Sequence, residues 1–131
     1  MAWKLRDYSE KSVSVPTVFS ARPRGGNWGA DGAAAMIVAD GGMIYSKTNA
    51  ARAFSVVHTG SGVTANLNDV DVLDAGSTIR ICGDSGVLLF GDSGIWTTPK
   101  SQTTFPLTKL DFQSATQGFA IGQEFVVLEY D

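Results

Sequence analysis

The run Ile81-Cys82-Gly83-Asp84-Ser85-Gly86-Val87-Leu88-Leu89-Phe90-Gly91-Asp92-Ser93-Gly94-Ile95-Trp96 holds three short apolar segments separated by two Asp-Ser-Gly turns. Short apolar runs that alternate with tight turns in which Gly supplies a positive φ form the pattern of consecutive antiparallel hairpins. The same pattern recurs on both sides. Met36-Ile37-Val38-Ala39-Asp40-Gly41-Gly42-Met43-Ile44-Tyr45 repeats it with Asp40 standing 44 residues before Asp84. Phe119-Ala120-Ile121-Gly122-Gln123-Glu124-Phe125-Val126-Val127-Leu128 repeats it again, with Gln123 standing 39 residues after Asp84.

Each copy brings neighbours with it. Leu67-Asn68-Asp69-Val70-Asp71-Val72 precedes the second hairpin and Leu107-Thr108-Lys109-Leu110-Asp111-Phe112 the third, 40 residues apart and with a shared Leu-x-x-Φ-Asp-Φ pattern. For the first hairpin the β-branched run Val15-Pro16-Thr17-Val18-Phe19-Ser20 is the expected counterpart, with Pro16 at a strand start where a missing N–H is tolerated. An aromatic opens the element after the hairpin, at Phe54 in the first copy and Trp96 in the second. Four short strands in about forty residues, repeated, are the signature of a β-propeller blade. A β-sandwich also uses strands of this spacing but does not require the repetition.

The third copy runs out at Leu128-Glu129-Tyr130-Asp131 before a fourth strand, while the chain opens on Ala2-Trp3-Lys4-Leu5-Arg6-Asp7-Tyr8, an aromatic-led strand with no hairpin before it. Trp3 stands 12 residues before Val15, much as Trp96 stands 11 before Leu107 and Phe54 13 before Leu67. The expected fold is therefore all-β, with three four-stranded propeller blades per chain and one of them split between the termini. Blade 1 covers about residues 15–59, blade 2 about 66–99, and blade 3 about 107–131, completed by strand 2–8 of a partner chain. Rings close with four or more blades, and a terminal strand that completes the last blade removes an open edge. Three blades thus predict a homodimer closing as a six-bladed propeller, in which Trp3 and Leu5 of one copy meet Tyr130 and Asp131 of the other.

Lys47-Thr48-Asn49-Ala50-Ala51-Arg52-Ala53-Phe54 resembles the Asp-box of bacterial neuraminidase repeats, Ser/Thr-x-Asp-x-Gly-x-Thr-Trp, with Asn49, Ala51 and Phe54 at the Asp, Gly and Trp positions. Asp92-Ser93-Gly94-Ile95-Trp96 keeps Asp, Gly and Trp and is one residue short. The whole unit resembles the blades of the photosystem II stability/assembly factor family and of sortilin-like propellers, with Gly83 and Gly86 at the glycine pair. The resemblance implies a propeller fold and by itself no activity.

Composition narrows the function. Charged residues make up 18% of the 131 and Gly contributes 15, which suits a turn-rich β domain and not a disordered chain. A net charge of −3 offers no attraction to phosphate backbones, so nucleic acid is not an expected partner. One cysteine, Cys82, cannot pair within the chain and sits in an apolar run as a buried thiol. His58 is the only histidine and has no ligand-spaced neighbour, so no metal and no cofactor are expected. The N-terminus has no apolar signal core, and no window is long and apolar enough to span a bilayer, which predicts synthesis in the cytoplasm without membrane insertion.

Sialidases on this fold use an arginine cluster with a Tyr/Glu pair; Arg6, Arg22, Arg24, Arg52 and Arg80 do not share blade positions and Tyr45 has no adjacent Glu, so no enzyme is expected. Asp69, Asp71 and Asp111 either face water where they alternate with buried neighbours or line a central channel. The repeat is broken at one place, the extra segment Arg22-Pro23-Arg24-Gly25-Gly26-Asn27-Trp28-Gly29-Ala30-Asp31-Gly32, read as an inserted loop. Loops carry binding, and Arg and Trp are frequent anchors, so Arg22, Arg24, Asn27 and Trp28 are the candidate partner-binding residues. The functional expectation is a non-enzymatic structural or interaction protein, a bacteriophage virion component such as a capsid decoration or tail protein, with other virion proteins as partners. Its alternative is a glycan- or protein-binding propeller module such as an assembly factor.

Overall fold

A computed structural model describes residues 19–29, 34–48 and 54–131, which include no α-helix. Blade 1 contains β1 (Pro23–Trp28), β2 (Ala34–Ala39), β3 (Ile44–Thr48) and β4 (Ser55–Val56). Blade 2 contains β5 (Leu67–Leu73), β6 (Thr78–Gly83), β7 (Leu88–Asp92) and β8 (Ile95–Thr97); blade 3 contains β9 (Leu107–Ser114), β10 (Gln117–Gly122) and β11 (Val127–Tyr130). Each sheet is antiparallel with strands in sequence order, so the sequence-derived hairpins are the middle strand pairs β2–β3, β6–β7 and β10–β11. Period-2 patterning puts one face of blade 2 against blade 1 and the other against blade 3. Met36, Val38 and Ile44 of blade 1 thus share one core with Leu67, Val70, Val72, Ile79, Ile81 and Leu89 of blade 2. Cys82 and Phe90 of blade 2 share another with Leu107, Leu110, Phe112 and Ala120 of blade 3.

The turn joining the two middle strands is the same in every blade. Met43, Val87 and Val126 N–H groups donate to the carbonyls of Asp40, Asp84 and Gln123. The turn residue's own N–H then donates to the segment leading into the first strand: Asp40 to Arg22, Asp84 to Asn66, Gln123 to Pro106. Two successive residues in each turn are left-handed, Gly41 and Gly42, Ser85 and Gly86, Glu124 and Phe125. The Asp-Ser-Gly signature is structural punctuation, and Phe125 is the one bulky side chain that has replaced a turn glycine.

One assignment needs correcting. The first strand of blade 1 is β1, Pro23–Trp28, and not Val15–Ser20; Phe19 and Ser20 are outside any strand, and 15–18 lie outside the described residues. The stretch read as an inserted loop is itself the strand, with register Asn27↔Met36 and Trp28↔Ala35. Pro23 sits at its first position, and Gly25 is required by a neighbour: a Cβ there would stand 2.5 Å from the carbonyl oxygen of Asn68 on the next blade. Glycine and proline, loop signals in isolation, here permit close approach of two strands. Blade 1 therefore starts near 23.

Among the described residues the third sheet has three strands where the other two have four. Trp3, Leu5 and strand 2–8 lie outside the described residues. Tyr130 ends β11 and packs edge-on to Phe90 of blade 2, with ring centroids 5.2 Å apart. Phe54 is buried beside Tyr45 and Ala35 within blade 1, whereas Trp96 packs on the core between blades 1 and 2.

Candidate functional site: the inner-strand acceptors and the open face of blade 3

The first strand of each blade is an edge strand, and half of its N–H groups point away from its own sheet. The preceding blade supplies their acceptors. Asn27 Oδ1 accepts from Val72 N at 3.2 Å. Asp71 Oδ2 accepts from Phe112 N at 2.7 Å. Asn27 and Asp71 hold the same register position, opposite Met36 and Arg80, so one device is used twice. Asp69 adds a bridge, its Oδ1 accepting from Val70 N at 3.0 Å and its Oδ2 from Leu110 N at 2.9 Å. For Asp69 and Asp71 neither expectation is met, since both bind backbone between blades, while Asp111 faces water. Among the described residues no group of His, Cys, Asp and Glu is arranged to hold a metal ion.

Asp71 feels burial first, which raises its pKa; the Phe112 N–H works against that, and the Asp69 and Asp111 charges reinforce it. Asp111 is the third member of the series and is exposed, with no blade behind it among the described residues.

A second network runs along the same edge. Arg24 Nε donates to Asn68 Oδ1 at 2.9 Å and its Nη1 to Asp40 Oδ1 at 3.0 Å. Asn68 Nδ2 donates to Asp84 Oδ1 at 2.9 Å and to the Leu107 carbonyl at 2.7 Å. Two of the four residues expected to bind a partner, Arg24 and Asn27, are thus engaged in joining blade 1 to blade 2. Arg22 makes one contact with Asp40 at 3.2 Å and keeps 72% of its side chain exposed. Trp28 is 49% exposed, with Lys47 Nζ 5.8 Å from its ring centroid.

Sequence reading missed Arg80. It is 3% exposed at the joint of blades 2 and 3, its guanidinium 4.1 Å from the Phe90 ring centroid and 5.7 Å from that of Phe112. Nη2 meets Asp92 at 3.1 Å and the Ala115 carbonyl at 2.7 Å, Nη1 the Ile79 carbonyl at 2.9 Å, and Nε has no partner. Its place in Thr78-Ile79-Arg80-Ile81-Cys82, a charge within an apolar run, is the available signal. Cys82 is fully buried, and burial followed by the Asp69 charge pushes its thiol up to about 12. His58 is exposed just beyond β4.

The outward face of blade 3 has the register of the faces that close the two internal joints. Phe119 lies between Asp111 and Glu129, and Ile121 between Lys109 and Val127. Their blade 2 counterparts are Arg80 and Cys82, both buried. On blade 3 Phe119, Ile121 and Val127 are exposed, Val127 at 66%. A groove of about 320 Å³ on this side is lined by Asp111, Phe119, Glu129, Tyr130 and Asp131 among others.

No protein-family model matches the chain, and no curated protein matches it. Among solved structures it is similar to YCF48 from Cyanidioschyzon merolae, with a TM-score of 0.69, 19% identity and 86% of this chain covered. The chain spans 38% of the length of that structure. At this identity the likeness is one of fold: three blades, all-β, in a propeller-like arrangement.

Proposed function

We propose that the chain works by binding and not by turnover, as a propeller module of the assembly-factor kind whose partner is a protein. The observation that carries this is the contrast between spent and unspent surface. Asn27, Asp69, Asp71, Arg24 and Asn68 are used between blades, while Arg22 and Trp28 stand exposed on blade 1 and Phe119, Ile121, Phe125 and Val127 on blade 3. Clustered exposed apolar side chains beside a sheet edge that no described residue pairs mark interaction surfaces. The resemblance of the repeats to assembly-factor blades and the fold of YCF48 support this reading better than a virion component, for which the comparisons offer no support.

In this reading strand 2–8 of a second copy completes blade 3 along the edge of β11 that no described strand pairs. Deleting residues 1–8 should then dissociate or unfold the protein, and a truncated chain that keeps the native mass of the intact one would remove strand exchange.

Affinity capture with the immobilised wild-type chain and with Arg22→Ala tests the binding function. A stoichiometric protein retained by the first and lost by the second supports it. A specific signal on a glycan array without protein capture would move the module to the glycan-binding class.

A further inference from the structure

Phe125 is out of place by every folding criterion. It is 101% exposed and has φ +64, in the left-handed region. The two preceding turns put Gly42 and Gly86 there, at φ +77 and +72. A bulky residue held in this conformation carries strain that a glycine would not. The direction of its Cβ follows from the two equivalent turns. A Cβ on Gly42 would stand 2.1 Å from the Val63 carbonyl oxygen, and one on Gly86 1.9 Å from that of Thr103. Val63 and Thr103 each precede the first residue of the next blade's first strand by four positions. This turn position therefore aims at the lead-in segment of the following blade, and in blade 3 it carries an aromatic ring.

We propose that the outward face of blade 3 docks on blade 1 of a second copy of this chain, with Phe125 as its anchor and Asp111 as its hydrogen-bond acceptor. Asp111 stands where Asn27 and Asp71 stand, and each of those accepts the outward N–H one register step further along the next blade's first strand. On blade 1 that N–H belongs to Trp28. Gly29 N donates to Ala34 O at 2.8 Å, so the alternation of an antiparallel pair turns the Trp28 N–H away from β2 and toward the open edge. The lead-in position that Phe125 would meet, four before Pro23, is Phe19, which packs against Tyr45 and Phe54 and is only partly buried. Phe119, Ile121 and Val127 occupy the register of Met36, Val38 and Ile44, the side chains that blade 1 buries against blade 2. The two surfaces thus match in register, in one acceptor and one donor, and in apolar character. At the Phe125 end a ring replaces close backbone approach, and there the joint is wider than the internal ones.

This inference builds on the binding-module reading and is tested apart from it by native mass across a dilution series of the full chain. The wild type is expected at twice the 13.8 kDa of one chain at about 100 µM. Phe125→Gly should raise the melting temperature of the dissociated chain by about 3–6 °C, because the turn strain is gone, and weaken pairing by about tenfold or more, because the anchor is gone. Opposite signs in one variant separate this role from a merely structural one. Val127→Glu, which places a charge in the joint, should leave single chains, and Asp111→Ala should weaken pairing by about three- to tenfold. A single-chain mass for the wild type at this concentration overturns the proposal, as would residues 1–18 of the same chain covering the face. So would Phe125→Gly that pairs as tightly as the wild type, or Val127→Glu that still pairs. A wild type of single-chain mass that captures a partner breaks only this pairing; a dimer that captures nothing breaks only the binding function.

Discussion

The two internal joints solve one geometric problem with different chemistry. Between blades 1 and 2 the strands come close: Gly25 lies against the Asn68 carbonyl, Met36, Val38 and Ile44 fill the gap, and Asn27 supplies a single neutral acceptor. Between blades 2 and 3 the position of Gly25 is taken by Asp69, that of Asn27 by Asp71, and that of Met36 by Arg80. The first joint holds by backbone proximity and apolar burial, with Arg24 reaching Asn68 at its exposed edge; the second adds to its apolar core a buried guanidinium and half-buried carboxylates that find backbone partners. Register and topology are shared, so the blade repeat fixes where the side chains meet and leaves open what they are.

Arg80 is the sharpest point at which to break this contrast. Arg80→Ala removes a buried stem that packs on two rings and is expected to cost about 3–5 kcal/mol. Arg80→Met makes the second joint resemble the first, which uses Met36 at this position. Since Nε is unpaired and burial of a charge is costly, it is expected to lie within about 1 kcal/mol of the wild type. Urea denaturation of both variants checks this; equal losses would mean that the charge itself holds the joint.

Gly25→Ala attacks the first joint, where the added methyl meets Asn68 backbone that cannot yield. A loss of about 1–3 kcal/mol is expected in the same assay. No loss would show that the two strands can part.

Asp71 sharpens the comparison through pH. Burial raises its pKa above the ordinary 3.8, so the folded state holds the proton more tightly than the unfolded one. Its favourable linkage is fully present below 3.8 and is lost as pH rises through the raised value. Asp71→Asn, which copies Asn27, keeps an acceptor for Phe112 N and should flatten that part of the stability profile without a loss at neutral pH. Asp71→Ala leaves the N–H unpaired and should cost about 1–2 kcal/mol. A pH profile unchanged in Asp71→Asn would assign the dependence to another group.

Cys82 gives the smallest effect and the simplest readout. Buried at the second joint with a thiol pushed up to about 12, it should resist a thiol reagent at neutral pH until the protein unfolds. Labelling at the rate of a free thiol would mean that blades 2 and 3 open readily.

Much of the architecture was legible because each hairpin is a local object. Asp84-Ser85-Gly86 between apolar runs is enough to set a turn, and the recurrence near Asp40 and Gln123 is enough to count blades. The first strand of blade 1 is hidden in the sequence because Pro23, Gly25 and Gly26 carry loop signals, and only the closeness of Asn68 explains Gly25. A signal was nonetheless present: the 44 residues that separate Asp40 from Asp84 also separate Asn27 from Asp71. The joint residues were harder, because a polar side chain on an alternating strand looks the same whether it meets water or the N–H of a neighbouring blade.

The sequence by itself determined the hairpins, the turns and the period, since these depend on residues within a few positions of one another. Only the tertiary structure decided that Asn27 and Asp71 are one device, that Arg80 is buried, and that Asp111 and Phe125 face outward from the third blade. Those properties belong to pairs of residues some forty positions apart, brought together when one sheet stacks on the next, and no local pattern encodes which N–H group a carboxylate will reach.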